Sequence, residues 1–92
     1  MTEIKNNINN YLDYCKSQKR LDEKTLKAYR IDLNQFSNKI IISSINEINI
    51  STLENYISFL NNIYKPKTVK RKLASIKALF HYLEYKDIIQ YN

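Results

Sequence analysis

Apolar side chains recur at helical spacing in four separate segments of this 92-residue chain. In the first, about residues 4 to 18, Ile4, Ile8, Tyr11, Leu12 and Cys15 stand at offsets of 0, 4, 7, 8 and 11, one face of an α-helix. The second opens near Asp22, whose carboxylate can cap free backbone N–H groups, and carries Leu26, Tyr29, Leu33 and Phe36 on its stripe. Asp22 and Glu23 also stand where the helix dipole favours anions. The third begins with Asn49 or Ser51 as its cap, since Ser51 and Glu54 have capping-box spacing, and shows Leu53, Tyr56, Ile57 and Leu60. Asn61, Asn62 and Pro66 end it. The fourth, about Lys67 to Tyr85, has the most regular pattern: Val69, Leu73, Ile76, Phe80 and Leu83 repeat at intervals of 4, 3, 4 and 3.

Residues 38 to 49 fit none of these stripes. Ile40, Ile41 and Ile42 have strand propensity, but no second strand is evident for them to pair with. The expectation is a connection that plugs its isoleucines into the core, with a short turn near Ser44. After the fourth helix, Ile88 and Ile89 either pack back or lead onward.

Composition agrees with an all-α reading. There is no Gly and a single Pro, so turns that need positive φ should fall to Asn or Ser. An all-β fold or a Gly-rich phosphate loop is hard to build from such a chain. The hydrophobic content of 43% supports a folded core, and the length supports one domain over residues 1–92. No apolar run approaches the roughly 18 residues of a membrane span, so no membrane partner is expected. The amino end, MTEIKNNINN, lacks the charged-then-apolar order of a signal peptide. One cysteine, Cys15, cannot form an internal disulfide, and a reducing cytoplasm is the expected location.

Charge placement changes the picture most. Lys65, Lys67, Lys70, Arg71, Lys72 and Lys77 put six cations into thirteen residues without an acid among them. A second cluster, Lys16, Lys19, Arg20, Lys24, Lys27 and Arg30, has six cations against Asp22 and Glu23. Residues 40 to 64 carry Glu47 and Glu54 and no Lys or Arg. Two basic segments split by a mildly acidic one suggest two elements folding onto one surface for a polyanion. An AT-rich genome would also enrich Ile, Asn, Lys and Tyr, so position counts for more than number.

With Val69 set at zero and about 100° per residue, the core stripe of the fourth helix lies within about 40° of zero. The opposite arc holds Lys77, Lys70, His81, Ala74, Lys67, Ala78, Arg71, Tyr82 and Ser75. Small alanines between cations let a helix backbone approach a groove while the cations reach phosphates on either side. On the second helix, Lys24, Lys27, Ala28, Ile31 and Gln35 lie opposite Leu26 and Leu33, again without acid. Ile31 either touches a thymine methyl in a major groove or packs against a neighbouring helix. Thr25 either donates to a phosphate or satisfies a local carbonyl. The candidate DNA-contacting residues are therefore Lys24, Thr25, Lys27, Ala28, Ile31, Lys65, Lys67, Thr68, Lys70, Arg71, Ala74 and Lys77.

No catalytic constellation is visible. His81 and Cys15 are the only soft metal ligands, too few for a structural zinc site, and no cofactor is expected. The eight tyrosines mostly occupy stripe positions or helix ends, with no base beside them to activate a nucleophile. Acids stand singly rather than as an acid–base pair.

The run TLKAYRIDLNQF, Thr25 to Phe36, following Ile8, Tyr11-Leu12 and Leu21, resembles the amino-terminal domain of tyrosine recombinases, the phage integrase and Xer-type enzymes. Thr25, Tyr29, Leu33 and Phe36 fit that family's pattern there. Ile48-Asn49 with Leu53, Ile57 and Leu60 resembles its third helix. Thr68-Val69, Arg71, Leu73, Ile76, Phe80, Tyr82 and Leu83 resemble its fourth. The closing Ile89-Gln90-Tyr91-Asn92 is similar to the family's boundary before a linker. The resemblance implies a four-helix SAM-like core-binding domain of two crossed helix pairs. It also implies half of a C-shaped clamp on double-stranded DNA, with the second and fourth helices facing the major groove. The family's catalytic residues belong to a carboxy-terminal domain, and none can be placed on this sequence, so this chain should not cleave DNA.

The partners so implied are duplex DNA, the chain's own catalytic domain in a longer protein and other recombinase protomers on DNA, with the isolated chain a monomer. The competing reading is a helical protein-interaction module whose basic faces bind an acidic partner. A self-contained small enzyme has no residue set behind it.

Overall fold

The computed structural model describes residues 3–40 and 45–89. Ile41, Ile42 and the turn expected near Ser44 lie outside the described residues, as does Gln90-Tyr91-Asn92. Four α-helices follow in order: α1 (Glu3–Ser17), α2 (Glu23–Lys39), α3 (Ile50–Ile63) and α4 (Pro66–Tyr85). A short 3₁₀ turn, Ile45–Glu47, precedes α3.

Local chemistry sets the helix starts. The Asp22 carboxylate accepts the Thr25 backbone N–H at 2.8 Å, and that bond, more than any nearby charge, holds its carboxyl below the ordinary value. Asn49, rather than Ser51, caps α3: its Oδ1 accepts the Thr52 N–H at 2.9 Å and the Thr52 hydroxyl at 3.1 Å. Pro66 occupies the first turn of α4, where its missing N–H costs nothing.

The left-handed turn positions differ from expectation. Among the described residues, Arg20 (φ 56°) and Asp87 (φ 59°) take positive φ, not Asn or Ser. At Asp87 the reason is a Schellman ending. The Ile88 N–H donates to the Leu83 carbonyl at 2.8 Å and the Asp87 N–H to that of Glu84 at 3.0 Å. This closure turns Ile88 and Ile89 back onto the core.

The helices form two crossed pairs, α1 with α2 and α3 with α4, joined chiefly where α2 meets α4. Ile8, Tyr11 and Cys15 of α1, Leu33 and Phe36 of α2, Tyr56 and Leu60 of α3, and Leu79 and Leu83 of α4 are buried together. Phe36 stands at the junction, edge-on to both Tyr56 (73°) and Phe80 (86°). Among the described residues of the connection, Ile45 is buried, while Ile40 and Ile48 pack on the core. The Ile45 N–H also donates to Glu3 at 2.6 Å, tying the connection to the start of α1.

On α4 the buried arc is wider than the sequence stripe. Val69, Ile76 and Leu83 are buried, Leu73 and Phe80 only half so, and Lys72, Ser75, Leu79 and Tyr82 are buried as well. Because α4 packs against all three other helices, its inward face extends well past a two-helix seam. Among the described residues no helix is long and apolar enough to cross a membrane.

Candidate nucleic-acid interface

The outward face of α4 is a narrower version of the arc read from the sequence. Lys67, Lys70, Ala74, Lys77 and His81 are exposed, and Ala78 is half-buried. Tyr82 and Ser75 leave the arc for the interior: Tyr82 packs on Tyr11 and Tyr14, and Ser75 is 2% exposed. Lys65 is exposed and Thr68 half-buried at the helix entrance.

That entrance differs from those of α2 and α3. Lys65 holds the capping position without a side-chain bond to the helix, and, as in α3 but unlike α2, no acid stands in the first turn. The opening N–H groups of a helix lack partners within it, and the dipole makes this end positive. Lys65 and Lys67 add to that field instead of offsetting it. A negatively charged ligand is what such an end favours.

On α2, Lys24 and Lys27 are exposed, Ala28 is half-buried and Ile31 is 52% exposed. Ile31 therefore does not pack into a neighbouring helix. Thr25 takes part in the α2 cap, its N–H donating to the Asp22 carboxylate at 2.8 Å. Gln35 is turned inward, donating from Nε2 to the Tyr64 hydroxyl at 2.9 Å. Lys16, Lys19 and Arg20 do not belong to the α2 face; they lie at the end of α1 and in the turn that follows.

The largest departure from the sequence reading is an acid. Asp32 of α2 is fully buried and reaches across to α4. Its Oδ1 accepts from Arg71 Nη2 at 2.8 Å and from Lys72 Nζ at 3.1 Å, and its Oδ2 from the Ser75 hydroxyl at 2.9 Å. The basic segment of α4 is acid-free in sequence but not in space. Lys72 is buried and paired, so it is no phosphate ligand; its ammonium also lies 5.0 Å from the centre of the Tyr64 ring. Arg71 keeps 55% of its side chain exposed.

Both partners carried a sequence signal. Asp32 falls three residues after Tyr29 and four before Phe36, inside an apolar face. Lys72 stands in the series Val69, Lys72, Ile76, Leu79, Leu83, spaced 3, 4, 3 and 4. A carboxylate and an ammonium each placed in a buried stripe need one another, because an unpaired charge inside is costly.

This surface can attract and hold an anion. Among the described residues no three metal-ligating side chains come together. Burial raises the hydroxyls of Tyr11 and Tyr82, and takes that of Tyr56 to about 12, so these tyrosines favour their neutral form. Burial likewise pushes the Cys15 thiol up. Lys77 and His81 also border an apolar groove of about 390 Å³ between α3 and α4, floored by Leu53, Tyr56, Ile57, Leu73, Ile76 and Phe80.

Along its length the chain is 59% identical over 92 residues to a tyrosine recombinase of Agathobacter rectalis, covering all of this chain and 30% of that protein. It is 34% identical over 97 residues to the tyrosine recombinase XerC of Thermodesulfovibrio yellowstonii, covering all of this chain and 31% of that one. Against the tyrosine recombinase XerD of Rickettsia bellii it is 25% identical over 79 residues, 83% of this chain and 26% of the relative. The chain thus spans under a third of the length of these relatives. No solved structure gives a significant match. Residues 8–86 match the family model for the phage integrase N-terminal SAM-like domain, and with four helices in two crossed pairs the chain belongs to that family.

Proposed function

We propose that this chain is the DNA-gripping, core-binding domain of a tyrosine recombinase, holding duplex DNA through α2 and α4 as half of a clamp. The other half, and the strand cleavage and rejoining, would belong to a catalytic domain in a longer protein of the kind its relatives represent. The observation that carries the reading is the outward face of α4: Lys67, Lys70 and Lys77 exposed around Ala74, at the end of an uncapped, cation-flanked helix start. Lys24 and Lys27 extend the same charge on α2, the helix that Asp32 ties to α4. Alanine at the centre keeps the helix slim enough to enter a groove, while lysines on either side meet phosphates.

A salt titration of duplex binding tests this. About five or six phosphate contacts give a log–log slope near −5. Affinity of the isolated domain will be modest, since half a clamp lacks the effective concentration that a tethered second half supplies. A salt-independent titration, or NMR shifts on duplex addition that avoid α2 and α4, would count against the reading. If the basic faces instead serve an acidic protein partner, reversing their charge removes that partner and leaves duplex binding unchanged.

A further inference from the structure

Asp32 is out of place on simple electrostatic grounds. A carboxylate with 0% exposure bridges two helices whose exposed side chains include Lys24, Lys27, Lys67 and Lys70. Toward a polyanion its charge subtracts, and toward the protein its burial is unfavourable unless fully paired. Its three partners explain both points. Lys72, 5% exposed, balances the carboxylate inside the protein. The Ser75 hydroxyl satisfies the second oxygen at 2.9 Å. That leaves Arg71 as the surplus cation of the cluster, joined through Nη2 at 2.8 Å while more than half its side chain faces solvent.

A guanidinium has five N–H donors in a rigid planar fork. Fixing one nitrogen on a buried carboxylate therefore fixes the direction of the rest. Arg71 lies four residues after Lys67 and three before Ala74, so it stands on the side of α4 that carries both. Lysines on flexible stems supply charge to that face; the anchored arginine supplies geometry.

We infer that Asp32 is a positioning residue for this interface: it holds the Arg71 guanidinium with its remaining donors aimed between α2 and α4, at an acceptor oxygen of the duplex. The inference rests on the DNA-binding reading above. Lys72 and Ser75 complete the mount by pairing with Asp32 and hydrogen-bonding both its oxygens, which holds the carboxylate in place. The order of Arg71 before any DNA arrives lowers the entropy lost on contact, which is where preorganisation gains affinity.

The decisive variant is Asp32→Asn, which keeps the shape and removes the charge. By charge alone it makes the cluster more positive and should tighten duplex binding. Positioning gives the opposite sign: about tenfold weaker binding, the scale of one lost charge-assisted hydrogen bond. Arg71→Ala should then cost much less in the Asp32→Asn background than in the parent protein, so the two losses are strongly non-additive. Tighter or unchanged binding by Asp32→Asn, or additive losses, would overturn the inference. Should Asp32→Asn fold poorly, the charge-balanced pair Asp32→Asn with Lys72→Met removes both buried charges, and the same weakening is expected once a thermal melt shows it folded.

A second readout needs no DNA. Nitrogen-15 relaxation of the Arg71 Nε–H should show an ordered side chain in the parent protein and a mobile one in Asp32→Asn. A mobile Arg71 in the parent overturns the inference whatever the chain binds. Failure of the DNA-binding reading looks different: Lys67, Lys70 and Lys77 changed together to Glu would leave duplex binding untouched, while Arg71 stayed ordered.

Discussion

Helices α3 and α4 pack against each other, yet they handle their polar chemistry in opposite ways. The start of α3 is closed on itself, with Asn49 accepting both the N–H and the hydroxyl of Thr52. No Lys or Arg occurs between residues 40 and 64. The start of α4 has Lys65 at the cap with no such bond, then Pro66 and Lys67. One helix satisfies its own end and adds buried apolar surface through Tyr56 and Leu60. The other leaves its end positive and sets exposed lysines along the outward side. On the proposed reading, a structural helix and a DNA-binding helix differ in where their unsatisfied groups point, more than in how well they pack.

The largest effect that would break this contrast is charge reversal on α4. Lys67, Lys70 and Lys77 changed to Glu should lower duplex affinity by about 100-fold or more at moderate salt, with the helical circular dichroism unchanged. Arg71 is best left out of that set, because a glutamate there would face the buried Asp32 and disturb the fold. Glutamates at exposed α3 positions such as Ser58 and Asn61 should weaken binding far less. Equal losses from the two helices would erase the distinction.

Next in size is the core side of α3. Leu60 is fully buried, and Leu60→Ala should lower unfolding free energy by about 2–5 kcal/mol in denaturant melts. Duplex affinity of the molecules that remain folded should not change.

The buried tyrosines sharpen the comparison through pH. A raised folded-state value means stability that is complete below the unfolded tyrosine value and lost as pH rises through the folded one. For Tyr56 that window runs from 10.0 to about 12, and Tyr11 and Tyr82 shift in the same direction. The protein should therefore unfold in alkali with tyrosinate absorbance and helix loss coinciding. Tyrosinate that forms at ordinary pH while the helices persist would contradict the burial of these rings.

The smallest effects concern the two helix starts. Asn49→Ala should cost about 1 kcal/mol of stability and leave DNA binding alone. Lys65→Asp should do the reverse, stabilising α4 by up to about 1 kcal/mol while weakening duplex binding. If Lys65→Asp improves both, the open end of α4 has no role in binding.

These particular residues also show what was legible in advance. Apolar spacing located all four helices, and the Asp22 and Asn49 caps were readable because a single side chain and a neighbouring N–H suffice to make them. Ile31 and Thr25 were ambiguous in sequence, since exposure and hydroxyl partners depend on neighbours that periodicity does not name. Gln35, Ser75 and Tyr82 fall on outward arcs of a two-sided wheel but face inward, because α2 packs on both α1 and α4, and α4 on all three other helices.

The sequence by itself determined the all-α class, the helix positions, the family membership and the concentration of cations on α2 and α4, because each rests on local spacing and residue type. Only the tertiary structure decided which of those cations remain available. Asp32 and Arg71 are thirty-nine positions apart, and their meeting depends on how α2 crosses α4. Charge pairing follows distance in space, so it separated buried Lys72 from outward Lys70 although the two stand only two residues apart in the chain.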